Sequence, residues 1–159
     1  MSPEIIASGS ALIVAGADLY DLGVLTSTTH MAWMRYICGR MKSDYQYSAS
    51  LVYDNFPWPE PSDKQRADIE AAAQAVLDAR ALYPDSSLAD LYDPNLMPPE
   101  LSKAHAKLDR LVEKAYGKSF ETDAERVAFL FERYQALTAD LFTESGAKKK
   151  RANNRGDEA

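Results

Sequence analysis

Apolar residues recur along most of this chain at steps of three and four, and the places where that rhythm breaks divide it. Leu19, Leu22 and Leu25, then Met31, Met34 and Ile37, fall at helical intervals. Ser27, Thr28 and Thr29 offer a break and a fresh N-cap, so the spacing predicts two short helices. Gly39 stands where a C-terminal cap would end the second. Upstream, the apolar run from Ala11 to Gly16 suits a buried strand, a fragment of helix being the other reading of so short a run. Downstream, Tyr47, Leu51 and Tyr53 alternate with Ser48, Ser50 and Val52. That period predicts a strand from Tyr45 to Tyr53, paired with something upstream.

Pro57, Pro59 and Pro61 fix backbone angles and remove donors, which makes the segment a stiff extended junction. After it the helical rhythm returns. Ser62 and Gln65 form a capping box for a helix carrying Ile69, Ala72, Val76 and Ala79 on one face, running to about Leu82 before Pro84. Leu88 to Met97 reads as a packed loop with one helical turn. A helix from Pro99 to Tyr116 turns Leu101, Leu108, Leu111, Val112 and Ala115 inward and stops at Gly117. Thr122 and Glu125 cap a last helix bearing Val127, Leu130, Tyr134, Leu137 and Leu141. The predicted class is mainly α, of α+β type. Short strands and two helices occupy 1–61, a three-helix bundle 62–146, and a basic tail without apolar residues, expected to be disordered, 147–159.

Charge redraws part of this picture. The net charge is −6, which argues against a surface that is nucleic-acid footprint throughout. The acidic excess lies between Asp63 and Glu144, whereas Arg35, Arg40 and Lys42 cluster near the aromatic stretch and Lys148 to Arg151 with Arg155 form the tail. Any DNA contact therefore belongs to the first third, or to the tail as salt-sensitive, sequence-blind binding, and not to the middle. Cys38, the single cysteine, fits a reducing compartment and a packing role. No apolar run approaches a membrane span and the start lacks the features of a signal peptide, so a cytoplasmic protein without membrane contact is expected.

Catalytic signatures are missing. There is no glycine-rich methyl-donor turn, and neither Asp54 to Pro59 nor Met97 to Glu100 has the order of an Asn-Pro-Pro-Tyr type loop. Pro84 and Asp85 are not followed by the Asp/Glu-x-Lys of a metal-dependent nuclease. His30 and His105 have no cysteine or carboxylate at ligand spacing and read as packing or surface residues. No catalytic or metal-binding residue is assigned, and the chain alone is expected not to be an enzyme.

The richest segment is 40–61. Arg40, Lys42, Asp44 and Gln46 alternate with Met41, Ser43 and Tyr45. An extended run would present them as one polar face suited to major-groove base edges, or as a solvated strand edge. Tyr53, Phe56 and Trp58 read as packing for the junction. The stretch from Leu22 to Pro59, with its Gly39-Arg40, the Tyr45-x-Tyr47-Ser48 run and Asn55-Phe56-Pro57-Trp58-Pro59, resembles the end of the target-recognition domain of MmeI-like, type IIG-like bacterial DNA methyltransferases. Leu108 to Gly117 and Glu125 to Tyr134 look like the helical C-terminal segment of the same enzymes, in the same order.

The resemblance implies a noncatalytic C-terminal portion of an S-adenosylmethionine-dependent, adenine-specific DNA methyltransferase. The family includes both restriction-modification enzymes that cut DNA and methylase-only relatives. It also implies duplex DNA and the remainder of the methyltransferase as partners, with surface left by absent domains able to drive a homo-oligomer. Lys42, Asp44 and Gln46 become specificity candidates, Arg35 and Arg40 phosphate or base contacts, and Tyr47 a further DNA-facing residue. The rival reading is a helical protein-interaction module with no DNA role, supported by the acidic charge and the apolar stripe of the last helix.

Overall fold

In the computed structural model, which describes residues 12–42 and 44–153 and gives 140–153 as backbone only, the chain forms α1 (Leu19–Thr26), α2 (Thr28–Ile37), β1 (Gly39–Met41), β2 (Asp44–Gln46), α3 (Asp63–Ala81), α4 (Leu88–Leu91), α5 (Pro99–Ala115) and α6 (Asp123–Asn153). A π-helical turn, Ala49–Tyr53, follows β2. The elements divide into two compact units: Met1–Met31 with Pro59–Ser119, and Ala32–Trp58 with Phe120–Ala159.

The first unit is a bundle of α1, α3 and α5. Asp18 starts α1 by accepting the Tyr20 and Asp21 N–H groups at 2.8 and 3.2 Å, while the Asp21 carboxylate takes the Asp18 N–H at 3.0 Å. Ser62 and Gln65 form the predicted capping box of α3. The Gln65 amide also donates to the Lys114 carbonyl at 3.1 Å, tying the start of α3 to the last turn of α5. Between α1 and α2, Ser27 donates to the Val24 carbonyl at 2.7 Å and accepts the His30 N–H at 3.3 Å. Asp109 of α5 accepts the Thr28 N–H at 2.8 Å, which pairs one of the donors left open at this helix start, whereas the buried Thr28 and Thr29 hydroxyls find no hydrogen-bond partner among the described residues. The core is Val24, Ile69, Ala72, Ala73, Val76, Leu101, Leu108 and Val112. Gly23 lets α1 come close: a Cβ there would lie 2.8 Å from Ile69 Cγ2 and 3.3 Å from both Ala73 and Leu108.

The second unit is built around Trp33, which is 1% exposed. Its indole N–H donates to the Val52 carbonyl at 3.1 Å, and its ring meets Phe56, Phe131 and Tyr134 at centroid distances of 6.3, 5.2 and 6.1 Å. Arg133 donates to the Trp58 carbonyl at 3.2 Å, and the Tyr134 hydroxyl to Asn55 Oδ1 at 3.4 Å. The apolar stripe of α6 is thus used on the aromatic stretch, and the third member of the bundle in the first unit is α1 rather than α6.

Other expectations meet the structure differently. Residues 12–14 form no strand, and Leu12 and Ile13 are 55% and 65% exposed; among the described residues no strand lies beside them to complete a ladder. Gly39 is not a left-handed cap, since the positive-φ glycines described are Gly16 and Gly117; it opens β1. Gly117, at φ 70°, does end α5. The strand from Tyr45 to Tyr53 exists only as far as Gln46, and the backbone then closes a π turn with Asp54 N–H on the Ala49 carbonyl at 2.9 Å. The α6 backbone is described as far as Asn153. Residues 154–159 lie outside the described residues.

Candidate nucleic-acid interface

The polar segment 40–46 is a hairpin. β1 and β2 pair antiparallel with Gly39 opposite Gln46, Arg40 opposite Tyr45 and Met41 opposite Asp44, and every strand residue is exposed. Residues directly opposite share a face, and neighbours along a strand alternate. One face therefore carries Met41, Asp44 and Gln46 beside the bare Gly39, and the other carries Arg40 and Tyr45. This corrects the single polar face expected for an uninterrupted strand: the turn reverses the chain and puts Arg40 on the side away from Asp44 and Gln46. Lys42 sits at the turn with φ 58°, a left-handed conformation unusual for a residue with a side chain.

The Arg40 guanidinium lies 4.4 Å from the Tyr45 ring centroid and donates to its hydroxyl at 3.0 Å, so both long side chains are held in place. Arg35, on α2, pairs with Asp123 of α6 at 3.2 Å, and Asp123 also accepts from Arg126 at 3.2 Å. Both members of the Arg35 pair are about half exposed, and such a pair is worth roughly 0–1 kcal/mol. A phosphate can compete for that arginine. Tyr47 is 38% exposed, and its hydroxyl pKa is raised, first by burial and then by Tyr53 and Asp54. Tyr53 packs edge-on against Trp58 at 5.7 Å, and Phe56 against Trp58 at 5.5 Å. Asn55 donates to the Ser50 and Leu51 carbonyls at 2.6 and 3.2 Å, bracing the π turn that follows β2.

Sequence reasoning passed over two features of this unit. Tyr36 is 70% exposed beside Arg35, with its ring edge-on to Phe131 at 5.7 Å. It borders an open cleft of about 500 Å³ lined chiefly by Ala32, Ala124, Val127, Ala128 and Phe131, with Arg35 and Asp123 among its polar members. The pairing of small residues across two helices has no periodic signal, so only contact reveals it. Met41 is the second feature: 61% exposed, apolar, and on the hairpin face with Asp44 and Gln46.

Among the described residues the two histidines lie apart, each in its own surroundings. His30 is 2% exposed, and burial lowers its pKa to about 4. His105 has its pKa lowered by burial and lies 2.6 Å from the Tyr92 hydroxyl, which accepts from Arg80 at 2.9 Å. The Tyr92 hydroxyl can both donate and accept, so the imidazole tautomer decides which of the two groups donates in that bond. Among the described residues no group of three or more His, Cys, Asp or Glu could hold a metal ion, and no helix is long and apolar enough to cross a membrane.

Comparison with known proteins bears on both halves. Residues 61–142 match the family model described as the MmeI C-terminal domain, and residues 1–60 the model of the MmeI target recognition domain. DNA methyltransferase A of Bacillus subtilis (strain 168) is 44% identical over 136 residues, covering 85% of this chain and 15% of the relative. A solved structure of the Type IIL restriction-modification enzyme MmeI in complex with DNA is similar with a TM-score of 0.76 and 54% identity, over 78% of this chain and 17% of that one. The chain thus spans less than a fifth of the length of either relative.

Proposed function

The chain belongs to the MmeI family, and from that premise we propose that it reads target DNA for a larger adenine-specific DNA methyltransferase of the restriction-modification kind, while itself carrying no chemical step. The observation that carries this reading is the hairpin of β1 and β2, whose strand residues are all exposed, in the segment matching the target recognition domain. A two-stranded ribbon is of a width the major groove admits. On its face, the Asp44 carboxylate can accept from cytosine N4 and the Gln46 amide can pair with adenine N6 and N7, while Lys42 at the turn reaches guanine or a phosphate. Arg40, braced on Tyr45 on the opposite face, and Arg35, released from Asp123, contribute phosphate contacts that fix register without reading sequence. Tyr47 continues β2 toward the same duplex. Tyr53, Phe56 and Trp58 hold the frame.

Duplex DNA and the rest of the methyltransferase are the partners this reading requires. Binding energy collected here would hold the duplex while another domain rotates the target adenine from the stack. S-adenosylmethionine would supply the methyl group in such an enzyme. The described glycines do not fit a site for it: Gly16 and Gly117 stand singly at turns, Gly39 opens a strand and Gly23 is closed by Ile69 and Ala73. Methyl transfer, and cleavage where the larger enzyme cuts DNA, would draw on other residues. The apolar cleft beside Tyr36 favours a second reading, a protein-docking surface within or outside such an enzyme.

The test is selection from random-sequence duplexes by the complete chain and by its Asp44→Ala, Gln46→Ala variant across a salt series. Enrichment of a short motif by the first, lost by the second with weak salt-sensitive binding retained, is the expected result. Equal enrichment by both would move sequence reading away from the hairpin.

A further inference from the structure

Met41 shares the exposed hairpin face with the carboxylate of Asp44, its cross-strand partner, and with Gln46. It is 61% exposed, so it is not core, and Gly39 beside it adds no side chain to cover it. Ion pairing and hydrogen bonding give a thioether no reason to be held there. A duplex supplies one. The face that brings a carboxylate and a primary amide to base edges can distinguish all four base pairs only in the major groove, where the prominent apolar group is the thymine C5-methyl. We propose that Met41 is a specificity-determining residue that reads a thymine through its 5-methyl group, next to the base pair met by Asp44. The flexible, polarizable side chain can follow a methyl whose position shifts with local DNA shape. This inference rests on the hairpin being the base-reading element.

The experiment uses the complete chain and the duplex motif it enriches, with each thymine replaced in turn by deoxyuridine, which lacks only the methyl group. The expected result is a loss of roughly three- to fivefold in affinity at one thymine, the scale of one buried methyl. That loss should vanish in Met41→Ala and return in Met41→Leu. Met41 is exposed, so neither variant disturbs a core. A motif without thymine, no sensitivity to deoxyuridine at any position, or the same sensitivity in Met41→Ala would overturn the assignment while leaving the hairpin as the reader. Absence of any enriched motif would overturn the assignment and the proposed function together.

Discussion

Gly23 leaves no room for a side chain on α1, because a methyl group there would sit 2.8 Å from Ile69 Cγ2 and press on a packed α3. Gly23→Ala should cost about 1–3 kcal/mol, the usual cost of overpacking, and shift the urea midpoint of the chain downward. A midpoint at or above that of the parent would show that α1 can retreat without loss. His30 gives a pH dependence of definite sign. Its folded pKa is about 4, against an ordinary 6.5, so the unfolded chain takes up its proton first. Stability is therefore full above pH ~6.5 and falls as pH drops toward 4, by up to about 3 kcal/mol from this residue. Denaturant midpoints at pH 7 and 5 check the fall, which His30→Gln should flatten. Packing was one of the two roles read for His30 from sequence, and burial bears it out; Gly23 was not legible as a constraint, since a glycine in a helical stretch becomes one only when the neighbouring helix is in place. The capping box of α3 was legible, because Ser62 with Gln65 acts within one turn, whereas the cap expected at Gly39 is not one.

At the scale of elements, local signals succeeded where an element completes itself and failed where it needs a neighbour. Helices α3 and α5 were readable because their hydrogen bonds are internal. The segment after Gln46 was not, since its alternation fits a strand but β1 extends only from Gly39 to Met41 and offers no further ladder. The chain instead turns so that buried Val52 gives its carbonyl to Trp33, with Asn55 donating to Ser50 and Leu51. Trp33 thus organises α2, the π turn and α6 in one unit, and Trp33→Ala should cost about 3–5 kcal/mol there. Hydrogen exchange would locate that loss in 32–58 and 123–139; uniform loss over α3 and α5 as well would contradict the division into units. The hairpin face was misjudged for a related reason, that a polar alternation does not announce the turn at Lys42 which reverses it.

For the whole molecule, the boundary that sequence marks and the boundary that packing marks are different. Family resemblance changes at residues 60–61, yet α1 from the first segment completes the core of α3 and α5, and Trp33 receives Phe131 and Tyr134 of α6. Residues 61–142 produced alone should then lose cooperative thermal unfolding, since the face of Ile69, Ala73 and Leu108 opposite Gly23 would be open to water; a transition as sharp and as high as that of the full chain would refute this. The family was legible from the aromatic and proline-rich segment, whose order is specific. The arrangement of its readable residues was not, because antiparallel pairing decides which side chains share a face.

The claim that matters most is that the hairpin sets which bases are read. It is tested most directly by grafting residues 39–46 onto the corresponding stretch of a full-length methyltransferase relative and mapping the methylated sites. The account predicts that methylation persists with a changed motif at the bases facing the hairpin. Undiminished methylation at the original motif would contradict it.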